Sequence, residues 1–317
     1  MNRHYIFWAH SPIGYETYLA LKQANIFTAI NSTLITSREF RPPEAALCIG
    51  LPEEYMWQTE EQFKNTQKSL MKLLDGLNIK TDGFELFIPQ SANFYIRALI
   101  ESPACKSFIF FDEGSSARGR LFKRRCIPGF YKYDIRKTDN FEDFIFRLGL
   151  NSPVMVDLYA NGVPFYVVNH SKCAGYLSFF KDAFPEQEVN ILEKVLPAAA
   201  ELCSQYGLIL LPPFHAWSKV ADFAKNFQVF LNSVKSVAGL NAERRWLLKF
   251  HPHDSSSIRE KIAGYFPFEC FENFCIKNNI SLYREPAFMG FDLYMGAPNS
   301  TFEFLKHDRH QYIAISK

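Results

Sequence analysis

The stretch SFIFFDEG, residues 107–114, runs from consecutive apolar residues straight into two acidic residues and a glycine. A short aromatic and β-branched run that stops at a charge is typical of a buried strand, so we predict a strand over residues 107–111. Comparable apolar runs recur on both sides of it and alternate with amphipathic helical patterns. Such alternation, with continuous apolar strands, predicts an α/β fold whose parallel sheet is covered on both faces.

The predicted elements form two groups along the chain. In the first group, strands at 5–9, 45–49, 84–88 and 107–111 alternate with helices at 14–23, 58–77 and 93–100. A helix at 186–203 precedes the second group, which has strands at 207–211, 245–250, 279–283 and 311–315 and a helix at 218–236. A chain of 317 residues is long enough for two domains. We therefore predict one α/β domain at residues 1–200 and a second at 201–317.

The composition is that of an ordinary globular protein. Thirty-five Lys and Arg oppose thirty-three Asp and Glu, and a net charge of +2 argues against a general nucleic-acid binder. Thirty-two phenylalanines predict an aromatic core, with a phenylalanine-rich surface for lipid or a partner as the alternative. The seven cysteines are scattered and lack CxxC spacing, which favours reduced thiols over disulfides or a zinc ribbon.

The sequence predicts neither a transmembrane helix nor a signal peptide. No stretch approaches the ~18 consecutive apolar residues that a membrane-spanning helix needs. The segment MNRHYIFWAHSPIGYETY, residues 1–18, has no cleavage site of small residues. Together with the cysteine pattern, this leads us to expect a cytoplasmic protein.

Several common catalytic motifs are absent from the sequence. Neither the dinucleotide fingerprint GxGxxG nor the nucleophile elbow GxSxG occurs. The nearest approach to a P-loop, GSSARGR at residues 114–120, has arginine where lysine is needed and no Ser or Thr after it. Kinases and α/β-hydrolases are therefore disfavoured.

Two acidic residues, Asp112 and Glu113, directly follow the 107–111 strand. Ligands of open α/β sheets bind at the carboxyl ends of the strands, so both side chains lie where a ligand is expected. A partly desolvated carboxylate there holds its proton more tightly and can act as a general base. The alternative is that Asp112 accepts hydrogen bonds from backbone amides at the start of the next helix.

A histidine, His251, follows the 245–250 strand and precedes Pro252, which constrains its backbone at the sheet edge. Its imidazole could protonate or hydrogen-bond a leaving phosphate. One alternative is a metal cluster with His253 and Asp254, although metal sites usually need three or more ligands. The other is a structural histidine at the start of a helix.

A third polar segment is Asn299-Ser300-Thr301, at the predicted start of a helix. Hydroxyl and amide side chains at such a position can bind a phosphate together with backbone N–H groups. The alternative is that Asn299 or Ser300 is an ordinary helix N-cap.

Taken in this order, the three segments resemble the motifs of bacterial sialyltransferases of GT-B architecture. Those enzymes carry an acidic-acidic-Gly motif in the N-terminal domain, a His-Pro motif in the C-terminal domain and a Ser/Thr pair near the C-terminus. The matching residues here are Asp112-Glu113-Gly114, His251-Pro252 and Asn299-Ser300-Thr301. Lys249 and Glu285 match two further positions, which contact the nucleotide. The family's pair of serines reads Asn-Ser-Thr here.

The resemblance implies two Rossmann-like domains that face a central cleft and an inverting glycosyltransferase. The donor would be CMP-sialic acid or another CMP-linked acidic sugar, such as Kdo, pseudaminic acid or legionaminic acid. The acceptor would be a hydroxyl of a bacterial surface glycan, such as lipooligosaccharide or capsule. No cofactor and no divalent metal are implied, and the absence of an Asp-x-Asp sequence agrees with this.

The resemblance also implies roles for individual residues. Asp112 would be the general base, with Glu113 as the alternative, and His251 would stabilise or protonate the departing CMP phosphate. Lys249 would contact the base, and Glu285 would hold the ribose hydroxyls. The full set of implied CMP-binding residues is Gly114, Lys249, Pro252, Glu285, Asn299, Ser300 and Thr301.

A basic stretch follows the acidic motif within eight residues: Arg118, Arg120, Lys123, Arg124 and Arg125. Such a stretch is ordinarily a solvated charged face. The alternatives are binding of an anionic glycan and peripheral contact with the anionic inner face of the membrane. Further candidates for ligand contact follow the first strands of the two groups; they are His10, Ser11, Gly14, His215 and Trp217.

Two other classes of function stay open at this point. One is a metal-dependent phosphoesterase built on His251, His253 and Asp254. The other is a non-catalytic module that binds a nucleotide or a glycan on the same fold, since fold alone does not determine function.

Overall fold

The structure is a computed structural model of the 317-residue chain. It describes residues 4–28, 30–37, 40–49, 60–76, 83–92, 94–114, 117–123, 125–126, 163–214, 223–251, 254–296, 305 and 311–315. The chain divides into two compact units, Met1–Lys194 and Val195–Lys317. The division lies a few residues before the boundary of 200 predicted from the sequence.

The first unit is built on a seven-stranded sheet in the order β3-β2-β1-β4-β5-β8-β9, with all strand pairs parallel. Its strands are β1 (His4–Ala9), β2 (Ser32–Ser37), β3 (Ala45–Ile49), β4 (Phe84–Ile88), β5 (Cys105–Phe111), β8 (Cys173–Ser178) and β9 (Val189–Ile191). A small antiparallel pair, β6 (Arg125–Cys126) and β7 (Val163–Pro164), lies outside this sheet. The helices are α1 (Pro12–Gln23), α2 (Glu60–Gly76), α3 (Phe94–Glu101) and α4 (Gly119–Phe122).

The second unit is built on a five-stranded parallel sheet in the order β12-β11-β10-β13-β14. Its strands are β10 (Tyr206–Leu210), β11 (Arg245–Lys249), β12 (Glu269–Cys270), β13 (Leu293–Gly296) and β14 (Gln311–Ala314). Its helices are α5 (Ala200–Cys203), α6 (Phe223–Leu240), α7 (Ser256–Ala263) and α8 (Phe271–Lys277), and a 3₁₀ turn spans Pro286–Phe288.

The two sheets share one topology. In each, the chain forms a first strand, adds two strands on one side and then returns to the other side of the first strand. This is the doubly wound order of a Rossmann-like fold, and its switch points lie between β1 and β4 and between β10 and β13. The predicted α/β class with two Rossmann-like units is confirmed.

Phenylalanine rings fill the interior of the first unit on both faces of its sheet. Phe108 and Phe110 pack into the cluster that contains Trp8 and Tyr95. On the opposite face, the rings of Phe111 and Phe7 are stacked with centroids 4.6 Å apart. None of the large apolar side chains that are exposed in the described part of the chain is a phenylalanine. For those residues, the prediction of an aromatic core is confirmed and the phenylalanine-rich surface is not found.

Two predicted elements are wrong. The segment 186–203, predicted as one helix, contains β9 and then irregular chain, and only α5 at its end is helical. The reason is Pro197, which interrupts the amphipathic pattern and cannot donate a helical hydrogen bond. Residues 279–283, predicted as a strand, form the turn after α8, where Asn279 is left-handed with φ of 54°. The strands that were not predicted are β2, β6, β7, β8, β9, β12 and β13.

No helix in the described ranges is both long enough and apolar enough to cross a lipid bilayer.

Gly296, the last residue of β13, is required where two strands meet closely. It has φ of 142°, and a Cβ there would lie 2.1 Å from the backbone oxygen of Leu210. We expect Gly296→Ala to lower the free energy of unfolding of the second unit by about 1–3 kcal/mol, because relief would disturb the β10–β13 pairing. Urea unfolding, followed by hydrogen exchange at the β10 amides, measures this loss.

Gly239→Ala is the matched control for this substitution. Gly239 lies in α6, and an added Cβ would have no atom within 4 Å. Alanine there should stabilise the helix by up to about 1 kcal/mol. Equal stability of the two variants would contradict the steric argument.

Candidate active site

Buried polar residues lie at the carboxyl ends of neighbouring strands in the first sheet. His10 follows β1, Gln90 lies just beyond β4, Asp112 follows β5 and Ser178 ends β8, and each is at most 6% exposed. This edge contains the switch point between β1 and β4, where ligands of such folds bind. Buried polar groups are normally hydrogen-bonded, so the partners of each residue show which are structural.

Asp112 accepts two hydrogen bonds on each carboxylate oxygen. Oδ1 accepts from the backbone N–H of Gly114 at 2.8 Å and from Nη1 of Arg118 at 3.0 Å. Oδ2 accepts from Nη2 of Arg118 at 2.6 Å and from Oγ of Ser178 at 2.8 Å. A carboxylate offers about four acceptor positions, so these partners leave Asp112 no free position for a substrate hydroxyl.

The charge state of Asp112 is set by opposing influences. Burial, the largest of these influences, holds the pKa of Asp112 above its usual value, although Arg118, the Gly114 amide and the Ser178 hydroxyl each act to lower it. The paired, hydrogen-bonded geometry is that of a structural carboxylate. It does not favour Asp112 as the general base, the role that the resemblance implies for it first.

Glu113 has a different neighbour. Its Oε2 contacts Nε2 of His10, and the two side chains are only 8% and 1% exposed. In the sheet, β4 lies between β1 and β5, so this contact passes over the carboxyl end of β4 at the switch point. A carboxylate can accept a proton from a hydroxyl, and an imidazole that donates to it can hold it in place. Of the two acids, Glu113 is therefore the one whose carboxylate lies against an imidazole.

The first turn of α1 completes this edge. Ser11 occupies the N-cap position of α1, but its side chain makes no capping hydrogen bond to the helix. Gly14 lies against β5, where an added Cβ would come within 3.0 Å of the Phe111 ring. Gly14 thus lets α1 pack closely beside the acidic motif, and it has no side chain to offer a ligand.

In the second unit, Lys249 and His251 lie at the carboxyl end of β11. Nζ of Lys249 is 5.1 Å from the ring centroid of Phe271. The half-buried His251 accepts hydrogen bonds on its backbone oxygen from the N–H of Asp254 at 3.0 Å and from Nη2 of Arg259 at 3.3 Å. These two bonds hold the backbone of His251 at the sheet edge.

Glu285 is buried in the same unit, with 7% exposure. It occupies the N-cap position of the 3₁₀ turn, and its carbonyl oxygen accepts from the N–H of Phe288 at 2.8 Å. The neighbouring Arg284 donates from Nη2 to the backbone oxygen of Val195. The segment around Glu285 is thereby tied to the start of the second unit.

Several predicted site residues lie outside the described residues, and their roles stay predictions; they are Pro252, His253, Asn299, Ser300, Thr301, His215 and Trp217. The described chain before Asn299 ends at Gly296 in β13. The Asn-Ser-Thr segment therefore follows a strand that borders the switch point of the second sheet.

Among the described residues, no group of three or more His, Cys, Asp or Glu side chains could hold a metal ion. Asp254 is buried, and its backbone oxygen accepts from Nε of Arg259 at 2.9 Å. His253, the third residue of the phosphoesterase hypothesis, lies outside the described ranges.

The basic stretch does not form one solvated face. The Arg118 side chain is only 12% exposed and pairs with Asp112, which corrects its interpretation as a solvated charge. Lys123 is 72% exposed and lies 3.7 Å from Glu186, as expected for a surface residue. The side chains of Arg120, Arg124 and Arg125 lie outside the described part of the structure.

Two contributors to this site were not recognised in the sequence. Ser178 lies 66 residues after Asp112, and only the β5–β8 pairing brings them together. Gln90 lies just beyond β4, and the topological switch beside β4 is the signal that could have identified it.

No family model matches the chain, and no curated protein matches it. The crystal structure of a sialyltransferase from Photobacterium damsela is similar over 95% of this chain and 72% of its own, with 11% identity and a TM-score of 0.48. The spinosyn rhamnosyltransferase SpnG, complexed with thymidine diphosphate, is similar over 95% of this chain and 77% of its own, with 12% identity and a TM-score of 0.33. Both TM-scores are below 0.5, so the assignment of two Rossmann-like units rests on the strand orders of the two sheets.

Proposed function

We propose that this chain is an inverting, metal-independent glycosyltransferase. It moves sialic acid, or a related acidic nonulosonic sugar, from its CMP donor to a hydroxyl of a bacterial surface glycan such as lipooligosaccharide or capsule. The observation that carries the proposal is the contact of Glu113 with His10 at the switch point of the first sheet. The adjacent Asp112 is fully engaged with its partners, so the two acids of the motif have separate tasks.

In the proposed reaction, Glu113 takes the proton of the acceptor hydroxyl. The electron pair of that oxygen forms a bond to the anomeric carbon, while the bond from this carbon to the CMP phosphate oxygen breaks. CMP departs with the bonding pair, and the single displacement inverts the anomeric centre. The contact with Nε2 of His10 holds the Glu113 carboxylate in place for this proton transfer.

The second unit supplies the donor side of the proposal. His251 meets the negative charge that develops on the departing phosphate, and the two hydrogen bonds that its backbone oxygen accepts support this role. Following the resemblance, Lys249 contacts the base, Glu285 the ribose, and Ser300 with its neighbours the phosphate. Since imidazole and hydroxyl donors neutralise the leaving group here, the proposal requires no divalent metal.

The test combines ligand binding with turnover. We expect CMP, but not UDP, GDP or ADP, to raise the melting temperature, equally with and without EDTA. A ligand at 100 times its dissociation constant stabilises the native state by about 2.7 kcal/mol, which is readily measured. We also expect release of CMP from CMP-sialic acid in EDTA when a glycan acceptor is supplied.

Each other outcome points elsewhere. Stabilisation by UDP or GDP alone would overturn the CMP donor. Binding of CMP without release from any CMP-sugar would favour a non-catalytic binding module. Loss of activity in EDTA, together with stoichiometric bound metal, would favour the phosphoesterase.

A further inference from the structure

Arg118 holds the acidic motif on both sides of Glu113. Its Nη1 and Nη2 donate to the two oxygens of Asp112, and Nη1 also donates to the backbone oxygen of Gly114 at 2.7 Å. Glu113 lies between these two residues in the sequence. One guanidinium therefore ties down the residue before Glu113 and the residue after it.

The opposite side of the motif is held by β8. The backbone N–H of Asp112 donates to the oxygen of Leu177 at 2.9 Å. Oγ of Ser178 donates to Asp112 Oδ2 and itself accepts from the N–H of Phe180 at 2.9 Å. Asp112 is consequently fixed between a strand and an arginine.

The position of Arg118 is itself constrained. Its guanidinium carbon lies 5.6 Å from the ring centroid of Phe180, and its Nε lies 3.3 Å from Oδ2 of Asp182. A planar guanidinium can donate to two carboxylate oxygens at once and stack on a ring, which the compact ammonium group of lysine cannot do. The site is built for arginine and not for positive charge alone.

The turn that Arg118 closes also depends on Gly114. Gly114 has φ of 114°, in the region that favours glycine. Its backbone N–H donates to Asp112, and its oxygen accepts from both Arg118 and the N–H of Ala117. The backbone is thus held on both sides of Glu113, and from this backbone the Glu113 carboxylate contacts His10.

We propose that Arg118 is a positioning residue that, through Asp112 and Gly114, holds the Glu113 carboxylate against His10. The effect of Arg118 on catalysis rests on the proposed function, because it acts through the proposed base Glu113. The contact between Glu113 and His10 exists whether or not the chain transfers a sugar, so it can be tested apart from turnover.

The test follows the imidazole ¹⁵N chemical shifts of His10 in the full-length chain, assigned with His10→Gln. Glu113→Ala gives the reference spectrum for a lost contact between residue 113 and His10. We expect Arg118→Gln to move the His10 signals toward this reference and Arg118→Lys to move them part of the way. In the same variants, kcat for CMP release should fall about 100-fold for Arg118→Gln, with KM for the donor unchanged, since small displacements of a catalytic group are that costly.

Arg97→Gln is the matched control. The Arg97 side chain is 13% exposed and pairs with Glu101 inside α3, so it loses a comparable ion pair away from the motif. Its His10 signals should equal those of the unaltered chain. If Arg118→Gln does not fold, the Asp112→Asn/Arg118→Gln double variant also removes the buried carboxylate that has lost its partner. Its His10 signals should lie between those of the unaltered chain and those of the residue-113 reference variant.

The outcomes separate the two proposals. Unchanged His10 signals in folded Arg118→Gln and Arg118→Lys, with only a lower melting temperature, would overturn the positioning role. Shifted His10 signals in a chain that releases no CMP from CMP-sialic acid would uphold the positioning role and count against the proposed function.

Discussion

Glu113→Gln is expected to slow CMP release from CMP-sialic acid by roughly 10²–10⁴-fold, the usual contribution of a general base. Glutamine has the same shape as glutamate and can still contact His10, so the fold should be retained. What it loses is the ability to take the proton of the acceptor hydroxyl. The measurement is kcat for CMP release at saturating donor and acceptor, with the CMP-induced shift in melting temperature as a check on donor binding.

A second Glu–His pair in the same unit provides the control. Glu101 ends α3 and lies 3.6 Å from Nε2 of His170. Glu101→Gln removes a carboxylate from a histidine without touching the carboxyl edge of the sheet, and we expect turnover to be unchanged. Full activity of Glu113→Gln, together with an inactive but folded Asp112→Asn, would return the role of base to Asp112.

Arg118→Leu is expected to lower the free energy of unfolding of the first unit by about 3–5 kcal/mol. This substitution leaves the buried carboxylate of Asp112 without its ion-pair partner, and uncompensated buried charges have costs of this size. Urea unfolding, followed by hydrogen exchange at the β5 and β8 amides, measures the loss. Adding Asp112→Asn should recover much of it, because the double variant contains no stranded charge.

The same variant should depend on pH in a defined direction. Burial raises the pKa of Asp112, and loss of Arg118 removes the main influence that lowers it. A carboxyl group whose folded-state pKa is raised destabilises the protein fully above that pKa, and this penalty disappears as the pH falls through it. Arg118→Leu should therefore regain stability on acidification. Identical losses for Arg118→Leu with and without Asp112→Asn would contradict a buried charge at residue 112.

The strands that the sequence predicted are those with continuous apolar runs. β5, β10 and β11 are buried on both faces of their sheets, and such strands are visible as unbroken apolar segments. β2, with the sequence STLITS, was missed because its polar residues are buried and satisfied by neighbouring groups, such as the indole of Trp8, which donates to Ser37. Whether such a segment forms a strand depends on its tertiary contacts, which the local composition does not reveal.

The turn after α8 shows the opposite error. The residues that follow Asn279 have side chains that favour strands, yet Asn279 adopts the left-handed conformation and the N–H of Ile280 donates to the oxygen of Cys275 at 2.8 Å. This bond ends the helix in a way that β-propensity cannot anticipate.

Only part of the candidate site could be predicted from the sequence. Asp112 and Glu113 could be found because charges after an apolar strand point to the sheet edge. The separate roles of the two acids could not be predicted from the sequence. They depend on hydrogen bonds to Asp112 from Arg118 and from Ser178 on a distant strand. A run of positive charges looks the same whether one of its members is buried or all are solvated.

The aromatic stack beneath the acidic motif restricts which substitutions the residues around that motif can accept. Phe111 directly precedes Asp112, its ring lies parallel to that of Phe7, and Gly14 leaves it no spare room. A change of side-chain volume at one of these positions would displace the acidic motif unless a second change compensated for it. We therefore expect Phe7, Gly14 and Phe111 to accept changes of side-chain volume together and not singly.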